Sequence, residues 1–476
     1  MNILEIKELN FRYSDLTDPF QKKASDKYAL KDVSLNIPQG SIVTVCGPTG
    51  SGKSTLLKLL KQEIAPEGEL TGDILYDGKP LRALTEREQA EKISILFQNP
   101  EDQIVTDKVW HEIAFGLENL GYSQSEMDNR VAEMLSFFRL ESISGTETDK
   151  LSGGQKQQVL LASLFAVSPE VLLLDEPISQ LDPEASEQFI HTLTRLHEKL
   201  GITIIIAEHK IQNLLPISDM VVIMSGGRIV AAGSPDEVKD DLERVLPPIT
   251  CQKQYDPEEN EGKQESILSM KNIFFRYSLK SADVINSLNA DFKPGVTYAI
   301  FGCNAAGKTT LLNIISGLYK PQEGSIKFSP AKPKIAYMPQ NVDLLFLSDT
   351  VNAELKNPEI KPSEKPEYIK NLDVSRSPYD LSGGEKQLLA LAKLSAPDPD
   401  IILLDEPTKG MDVILSKILI DELKKFTENG KTVIMSTHDL AFAKASADMC
   451  SIMSMGRLTA FKTNKIFFET NKLYSI

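Results

Sequence analysis

Short runs of consecutive apolar residues recur along the chain, and several of them end at a charged or polar side chain. The stretches SIVTVCG (41–47), VLLLDEP (171–177) and ITIIIAEH (202–209) show this pattern. An uninterrupted apolar run of this length is typical of a parallel strand that is covered on both faces. The stretch KSTLLKLLK (53–61), by contrast, has its apolar residues at helical spacing. The pattern therefore predicts an α/β fold.

The same succession of patterns occurs twice along the chain, in the same order. A repeat of more than 200 residues is far longer than a solenoid unit, so it indicates two tandem domains of one kind. The matched stretches are LNFRYS (9–14) with IFFRYS (273–278), LSGGQKQ (151–157) with LSGGEKQ (381–387), VLLLDEP (171–177) with IILLDEP (401–407), and IIIAEH (204–209) with VIMSTH (433–438).

Between the two copies lies a stretch without periodic apolar spacing that is rich in Pro, Glu, Gln and Lys. Such a composition is typical of an exposed linker. We predict a first domain over residues 1–246, a linker over 247–266 and a second domain over 267–476. In the first copy, residues 107–138 have a mostly helical pattern and predict a helical insert. The second copy is shorter before its LSGG stretch, which predicts a smaller insert there.

Composition narrows the class of protein. The net charge of −15 disfavours a nucleic-acid-binding protein, which usually has a basic face. No apolar run approaches the roughly 20 residues of a membrane-spanning helix, and the N-terminal residues do not resemble a signal peptide. A role at a membrane therefore requires a separate membrane-embedded partner. The four cysteines lack C-x-x-C spacing, which favours reduced thiols over a metal site or a disulfide framework.

A glycine-rich pattern, G-x-x-x-x-G-K-[ST], follows the first apolar strand of each copy. Backbone N–H groups of such a loop, at the start of a helix, bind phosphate oxygens. Its lysine adds positive charge at the β- and γ-phosphates, and its hydroxyl binds Mg²⁺. Two matches in register predict nucleotide binding by both copies. The expected contacts are Gly47, Pro48, Thr49, Gly50, Ser51, Gly52, Lys53, Ser54 and Thr55, and then Gly302, Cys303, Asn304, Ala305, Ala306, Gly307, Lys308, Thr309 and Thr310.

Paired acidic residues end one apolar strand of each copy. Asp175 and Asp405 emerge beside the phosphate loops, where their carboxylates can hold Mg²⁺. Glu176 and Glu406 follow directly and are placed to orient or deprotonate an attacking water molecule. A histidine follows the next strand in each copy, and we expect both histidines to contact the γ-phosphate. These histidines are His209 and His438.

The phosphate loop, a glutamine, LSGG, LLDEP, an aspartate and a histidine occur in this order in both copies. Together they resemble the nucleotide-binding domains of ABC ATPases, and LSGG is the specific part because other phosphate-loop ATPases lack it. The resemblance implies two tandem P-loop domains, each with a RecA-like core, an antiparallel β subdomain and a helical insert. The residues that it adds are Gln98 and Gln340 at the nucleotide and Mg²⁺, Ser54 and Thr309 at Mg²⁺, and Asp182 and Asp412 in coupling between the domains.

In that family two domains pair head to tail, and each ATP lies between the phosphate loop of one domain and the LSGG of the other. The resemblance therefore implies hydrolysis of ATP at two sites between the halves, with Tyr13 and Tyr277 where the family stacks an aromatic ring on adenine. The implied first site joins Lys53, Asp175, Glu176 and His209 to Ser382, Gly383, Gly384 and Glu385. The implied second site joins Lys308, Asp405, Glu406 and His438 to Ser152, Gly153, Gly154 and Gln155.

The phrase FQNPEDQIV (97–105), with the later LSGGQKQ, resembles the ATPases of energy-coupling factor (ECF) importers for vitamins and metal ions. That resemblance implies two partners, a T-type transmembrane component and a small substrate-binding S component, and a peripheral location at the cytoplasmic face of the cell membrane. The glutamine loop and the helical insert are expected to form a groove for the T component. There Glu101 and Asp102 receive its arginines, unless they are simply two solvated loop carboxylates.

Two other classes of twin-ABC protein stay open. A soluble protein of the translation-factor or DNA-repair kind acts on ribosomes or nucleic acid, but has a long charged helical linker or zinc-binding cysteines. The fused ATPase of sugar importers tends to have a degenerate second loop, whereas Lys308 and Thr309 are intact here. In that loop Cys303 and Ala305 replace the proline and glycine of the usual family form. A Cβ at residue 305 penalises a positive φ, so we expect a working second site, with nucleotide handling weakened or slowed at most.

Overall fold

The computed structural model divides the chain into two units, Met1–Pro247 and Pro248–Ile476. The predicted linker lies mostly outside the residues that the structure describes, and so does Asp182. The described residues are 1–15, 23–24, 27–179, 181, 183–249, 265–278, 281–356, 366–369 and 372–471.

The first unit contains strands and α-helices in alternation after an initial β-rich segment. Its strands are β1 (Asn2–Asp15), β2 (Lys23–Ala24), β3 (Leu30–Pro38), β4 (Ile42–Cys46), β5 (Gly68–Tyr76), β6 (Lys79–Pro80), β7 (Ile93–Leu96), β8 (Val171–Asp175), β9 (Thr203–Glu208), β10 (Met220–Ser225) and β11 (Arg228–Gly233). Its helices are α1 (Lys53–Leu59), α2 (Glu86–Lys92), α3 (Val109–Asn119), α4 (Gln124–Phe138), α5 (Gly153–Ala166), α6 (Pro183–Leu200) and α7 (Lys239–Val245).

Two sheets organise the first unit. One is antiparallel, with the order β2-β1-β5-β6 and β3 paired to β1. The other has the order β11-β10-β4-β9-β8-β7, and its strands are parallel except for the antiparallel pair of β10 and β11. The carboxyl ends of β4, β8 and β9 therefore meet at one edge, which brings the phosphate loop, the acidic pair and the histidine together.

The continuous apolar strands supply two cores, one on each face of the parallel sheet. Val171 and Leu173 of β8 pack toward the antiparallel sheet, whereas Leu172 and Leu174 pack with helices α3, α5 and α6. All four side chains are fully buried. Because both faces of the strand are covered, apolar side chains are favoured at successive positions, and this explains the apolar run in the sequence.

The predicted helical insert consists of α3 and α4. Helix α4 begins with a capping box in which Ser123 and Glu126 bond each other's backbone N–H groups. Apolar side chains of both helices, such as Ile113, Leu117 and Phe138, pack on α5 and complete the core. Trp110, on the other hand, is 46% exposed on α3 and stacks on the ring of His111.

The second unit repeats this plan with fewer residues. Its strands are β12 (Leu268–Phe275), β13 (Ile285–Phe292), β14 (Thr297–Phe301), β15 (Glu323–Phe328), β16 (Ile335–Met338), β17 (Ile401–Asp405), β18 (Thr432–Ser436), β19 (Met449–Ser454), β20 (Arg457–Leu458) and β21 (Lys462–Thr463). Its helices are α8 (Lys308–Ile315), α9 (Val351–Lys356), α10 (Gly383–Ser395), α11 (Val413–Glu428), α12 (Leu440–Ser446) and α13 (Asn464–Thr470).

The sheets of the second unit have the same layout as those of the first. The antiparallel sheet has the order β13-β12-β15, and the parallel strands run β16-β17-β18-β14-β19. Where the first unit has α2, the second passes directly from β15 to β16. In the insert, the described part holds α9 and a short 3₁₀ turn at Glu367–Ile369. The two units confirm the predicted α/β architecture.

Candidate active sites

Each phosphate loop runs from the end of a central parallel strand to the start of a helix, from β4 to α1 and from β14 to α8. Lys53 is buried, and its Nζ donates to the carbonyl oxygens of Gly47 at 2.8 Å and Pro48 at 3.1 Å. Lys308 makes the same pair of bonds in the second loop, at 2.7 and 3.2 Å. The two units therefore hold the predicted phosphate-binding lysine in the same way.

The first glycine of each loop touches the neighbouring strand. Gly47 has a φ of 149° and Gly302 a φ of 151°. A Cβ at Gly47 would lie 2.1 Å from the carbonyl oxygen of Met224, and one at Gly302 would lie 2.3 Å from that of Met453. Since no real Cβ approaches so closely, only glycine fits at these two positions.

The tips of the two loops differ in residue but not in conformation. Gly50 has a φ of +74°, and Ala305, at the corresponding place, has a φ of +61°. A left-handed conformation costs a residue with a Cβ about 1–2 kcal/mol, whereas glycine adopts it freely. Ala305 therefore has the positive φ that the sequence flagged, and the second loop keeps its shape in spite of the cost.

The predicted Mg²⁺ ligands lie together in the first unit, where Ser54 Oγ donates to Asp175 Oδ1 at 2.8 Å. Burial raises the pKa of Asp175, and the bond from Ser54 opposes that rise. In the second unit Asp405 accepts a short bond from Ser436, while its buried Oδ2 has no hydrogen-bond partner among the described residues. Thr309 is exposed. Hydroxyl and carboxylate oxygens are the ligands that Mg²⁺ prefers, so both places fit this ion.

Glu176 lies at the centre of a hydrogen-bonded group in the first unit. His209 Nε2 lies 2.5 Å from Glu176 Oε1, and Gln98 Nε2 donates to Glu176 Oε2 at 2.6 Å. The other ring nitrogen, Nδ1, lies 3.2 Å from Lys53 Nζ and 3.2 Å from the carbonyl oxygen of Gly47. Nδ1 can accept from the ammonium group only in the tautomer whose proton is on Nε2, where that proton points to Glu176.

The second unit brings the same residue types together with different bonds. His438 Nε2 lies 3.2 Å from Glu406 Oε1 and 3.1 Å from Lys308 Nζ, so this imidazole is turned relative to that of His209. The backbone N–H of His438 donates to Glu406 Oε2 at 3.1 Å. Gln340 is exposed, and among the described residues it makes no hydrogen bond to Glu406. The side chains of Glu406 and His438 are 16% and 19% exposed, against 9% and 8% for their counterparts.

Both predicted catalytic glutamates have a left-handed backbone. The φ of Glu176 is +50° and that of Glu406 is +52°. Their N–H groups donate across the sheet to the carbonyl oxygens of Ala207 at 2.9 Å and Ser436 at 3.1 Å. Positive φ is uncommon for residues with a Cβ and is concentrated at functional sites. The turn brings each carboxylate to the histidine of its own unit, so this conformation is part of the site.

The two LSGG stretches begin helices α5 and α10. Ser152 is the N-cap of α5 and forms a capping box with Gln155, and Ser382 forms one with Glu385 at α10. Ser382 Oγ also donates to the Glu385 carboxylate at 2.7 Å. Next to these serines lie Gly153 and Gly154, and Gly383 and Gly384. Each signature serine is therefore fixed at the positive end of a helix of at least 13 residues.

The two tyrosines that are predicted to stack on adenine make equivalent hydrogen bonds. Tyr13 Oη lies 2.7 Å from Thr55 Oγ1, and Tyr277 Oη lies 2.8 Å from Thr310 Oγ1. Their side chains are 41% and 59% exposed. Each ring thus stands at the surface beside its own phosphate loop, which is the geometry that base stacking requires.

A family model described as the ABC transporter matches residues 30–179 and again 285–409, together more than half of the chain. This chain belongs to the ABC transporter family. Its fold and its two phosphate loops are those of an ABC ATPase, with two ATP-binding domains in tandem. In the described part of the chain, none of the helices has the length and apolar character that crossing a membrane demands.

Some known proteins resemble the chain over nearly its whole length, and others over about half of it. A protein of Bacillus thuringiensis, provisionally named an ABC transporter ATP-binding protein, is 34% identical over 99% of this chain and 94% of its own. An archaeal ribosome recycling factor, solved with the ribosomal stalk protein aP1, has a TM-score of 0.67 at 22% identity, over 96% of this chain and 90% of its own. That likeness shows the fold alone. CbiO1 of Clostridium perfringens, part of the ABC transporter complex CbiONQ, has a TM-score of 0.45 at 33% identity, over 52% of this chain and 96% of its own.

Three other predicted residues of this ABC ATPase lie near its sites. Asp412 is buried and caps helix α11, where its Oδ1 accepts the N–H of Leu415 at 2.8 Å. Glu101 and Asp102 are exposed in the short turn after Gln98. The structure thus gives Asp412 a local role in starting a helix, in addition to the coupling role predicted for it.

Sequence reasoning missed an ion pair between each glutamine loop and the signature helix. Lys156 of α5 lies 2.7 Å from Glu101, and Lys386 of α10 lies 3.0 Å from Asp343. Both lysines lie two residues after LSGG, as in LSGGQK and LSGGEK, and both acids follow the glutamine by three residues. The repeated spacing was the signal that was available. These pairs tie the glutamine loop to the helix that carries LSGG.

A buried glutamate in each insert was also missed. Glu112 Oε2 accepts the N–H groups of Val105 and Thr106 at 3.1 and 2.8 Å. Glu354 has the same role in the second unit and also pairs with Lys393. These carboxylates fix the segment that follows the glutamine loop. No motif marks them, because the helical pattern alone would place them on an ordinary polar face.

Proposed function

We propose that this ABC ATPase is the energising subunit of a membrane importer of the ECF type, for a vitamin, a vitamin precursor or a metal ion. The observation that carries the proposal is a groove of about 580 Å³ in the first unit, beside the glutamine loop. It lies between edge strand β7 and helices α2, α3 and α5. A transport ATPase needs such a surface, because ATP binding has to act on a membrane-embedded partner.

The chemistry of the groove suits an amphipathic helix of the T component. Its lining is mostly apolar, with charged side chains at Lys61, Glu86, Arg87 and Glu112. A groove of this kind binds the apolar face of a helix and pairs its charges at the rim. The apolar lining includes Ile93, Ile95, Phe115, Leu160, Leu164 and Val167.

The corresponding groove of the second unit is smaller and more basic. Its volume is about 450 Å³, and it is lined by Lys334 and Lys393 together with apolar residues such as Tyr337 and Leu345. The difference supports the expectation that the two halves grip the membrane component unequally. It also suggests that the two grooves bind helices of different charge.

We further propose that the halves pair head to tail within the chain, so that each ATP meets one phosphate loop and the opposite LSGG. Helix starts at Ser152 and Ser382 support this, since exposed N–H groups and hydroxyls at a helix start bind phosphate. In each half Mg²⁺ would be held by the hydroxyl and carboxylate described above, and it would offset the negative charge of the phosphates.

The arrangement in the first half supports a division of labour. Lys53 binds phosphate oxygens, and Glu176 orients water and accepts its proton. His209 fixes the Glu176 carboxylate and contacts the γ-phosphate, while Gln98 responds to the nucleotide and to Mg²⁺. Lys308, Glu406, His438 and Gln340 have the same proposed roles in the second half.

Glu101 and Asp102 are proposed to receive arginines of the T component. Glu101 already pairs with Lys156, so a partner's arginine would compete for it, whereas Asp102 is exposed beside it. Reversing both charges, as Glu101→Lys with Asp102→Lys, should abolish capture of the T component in a pull-down. Asp343→Lys in the second half is the matched control and should weaken capture less. Unchanged capture by the double variant would contradict this part of the proposal.

The transport function is tested by purifying the tagged full chain from its own cells. We expect it in the membrane fraction, together with a T-type membrane protein and a small hydrophobic S component, both identified by mass spectrometry. Release of the chain from membranes by high salt would support a peripheral location at the cytoplasmic face. Sedimentation with ribosomes or nucleic acid instead would favour the soluble class of twin-ABC protein and overturn the proposal.

A further inference from the structure

The first unit has a buried carboxylate beside its predicted catalytic pair that the second unit lacks. Glu208 ends strand β9, directly before His209, and is 1% exposed. In the internal repeat its counterpart is Thr437. A carboxylate is almost never fully buried unless partners compensate for the lost hydration. The partners of Glu208 therefore indicate what it does.

Glu208 links two backbone segments of the site. Its Oε2 accepts the N–H of His209 at 2.9 Å, and its Oε1 accepts the N–H of Ile178 at 3.1 Å. The carbonyl oxygen of Pro177, next to Ile178, accepts from the buried Gln157 at 2.7 Å. The segment that follows Glu176 is thus fixed at two consecutive residues, toward the histidine on one side and toward α5 on the other.

The second unit satisfies the same backbone group in another way. There the N–H of His438 donates to the predicted catalytic carboxylate, Glu406 Oε2, at 3.1 Å. Thr437 Oγ1 accepts instead from the N–H of Asp439, further along the chain. In the first unit the backbone N–H of His209 donates to Glu208 instead, and Glu176 Oε2 accepts from Gln98.

We propose that Glu208 is a positioning residue of the first ATP site. By accepting the N–H groups of His209 and Ile178, it leaves both carboxylate oxygens of Glu176 available to Gln98 and to the imidazole. Glu208 touches neither water nor phosphate in this scheme and acts through Glu176. The inference rests on the proposed roles of Glu176 and His209 in ATP hydrolysis.

Turnover is measured in the full chain on a Glu406→Gln background, so that the first site alone is observed. Glu208→Thr should lower kcat by about tenfold or more, because misplacing a catalytic group by about 1 Å costs up to ~100-fold. KM for ATP should change less than about twofold, since the phosphate loop is untouched. The kcat of Glu208→Gln, which keeps one acceptor oxygen, should lie between that of the parent and that of Glu208→Thr.

The matched control is Thr437→Ala on a Glu176→Gln background, which should leave kcat of the second site unchanged. If Glu208 had only a structural role, Glu208→Thr would lower thermal stability, raise KM and lower kcat together. It would not lower kcat at a nearly constant KM. A kcat for Glu208→Thr within about twofold of its parent would overturn the proposal.

Amide hydrogen exchange on the full chain tests the bonds without any turnover. In Glu208→Thr the amides of His209 and Ile178 should exchange about tenfold faster, while those of β18 should not change. Unchanged exchange at both amides would also overturn the proposal. If the Glu406→Gln parent hydrolyses no ATP, the proposed function of the first site fails, and the exchange rates still decide whether Glu208 positions this segment.

Discussion

The two halves have the same catalytic residue types, yet they hold them differently. In the first half Glu176 accepts from Gln98 and His209, and the side chains of Glu176 and His209 are almost completely buried. In the second half Glu406 accepts the backbone N–H of His438, and the side chains of both residues are partly exposed. The catalytic residue types are the same in both, so the difference arises from their neighbours, such as Glu208 and Thr437 directly before the two histidines. Neighbours, and not the motifs themselves, decide how a shared set of side chains is bonded.

This comparison predicts unequal sites. The first half has its glutamate, histidine and lysine already in one hydrogen-bonded chain, as a preorganised site requires. In the second half a backbone N–H occupies Glu406 Oε2, and Gln340 is exposed and does not bond this carboxylate among the described residues, so the group is held by fewer side chains. We therefore expect the first site to hydrolyse ATP faster.

The largest effect should come from removing each glutamate in turn. Glu176→Gln and Glu406→Gln should each lower turnover at their own site by about 100-fold or more, as expected for loss of a general base. Phosphate release at saturating ATP should fall further in Glu176→Gln than in Glu406→Gln. Retained ATP binding is the control in both variants.

Two results would break the comparison. A greater loss in Glu406→Gln would reverse the order of the two sites. Turnover that does not change at all in Glu406→Gln would show that the second site is not catalytic.

The next largest effect is a change of folding stability with pH. Burial, and then the charge of Glu176, raises the pKa of Glu208 from 4.5 to about 7. Between these values the folded state keeps a proton that the unfolded state loses. The stability contributed by Glu208 is therefore complete below pH 4.5 and is lost as pH rises through 7, by at most about 1.4 kcal/mol per pH unit.

Glu208→Thr lacks this proton, so its melting temperature relative to the parent should rise between pH 5 and pH 7 and then level off. Thr437→Ala, at the corresponding position of the second unit, removes no titrating group; it is the control and should show no such trend. A difference that does not depend on pH would contradict the shifted pKa.

A smaller effect is expected at the tips of the phosphate loops. Gly50→Ala should destabilise the first unit by about 1 kcal/mol, because a Cβ there meets nothing within 4 Å and the only cost is the positive φ. Ala305→Gly should stabilise the second unit by less, since glycine also gains freedom in the unfolded chain. Thermal unfolding and ATP affinity measure both. Stabilisation by Gly50→Ala would show that the loop adapts.

The smallest effect concerns thiol reagents. Cys303 is exposed in the second loop, whereas burial raises the pKa of Cys46 to about 12 and that of Cys450 further. Maleimide should therefore modify Cys303, remove at most about half of total turnover, and be slowed by ATP. Cys303→Ser is the control and should resist. Inactivation that is equally fast with ATP present would place the reactive thiol outside the nucleotide site.

The sequence predicted the architecture well because the two strongest signals coincide. Uninterrupted apolar runs marked the parallel strands, and the repeat showed that each run occurs twice. The glycine loops, Asp175 and Glu176 could be placed since they lie at the ends of those runs, at one edge of the sheet. The positive φ at Ala305 was also anticipated from the missing glycine.

Bonding within the sites could not be predicted in the same way. Glu208 was visible as a charge at the end of an apolar run, but which N–H groups it accepts depends on the distance between β8 and β9. The ion pair of Lys156 with Glu101 joins residues that are far apart in the sequence. The repeated spacing of the two acids and the two lysines marks these residues, but their contact depends on tertiary packing. The assignment of roles to these residues stays a prediction.

The single tryptophan of the chain, Trp110, stands half exposed on the insert of the first half. The protein therefore carries its own optical label. Light at wavelengths that tyrosine does not absorb excites Trp110 alone. The fluorescence therefore reports on this insert, and the second half does not contribute to it. Fluorescence can thus follow events at the first groove in the unmodified protein, without a dye and without interference from its smaller twin.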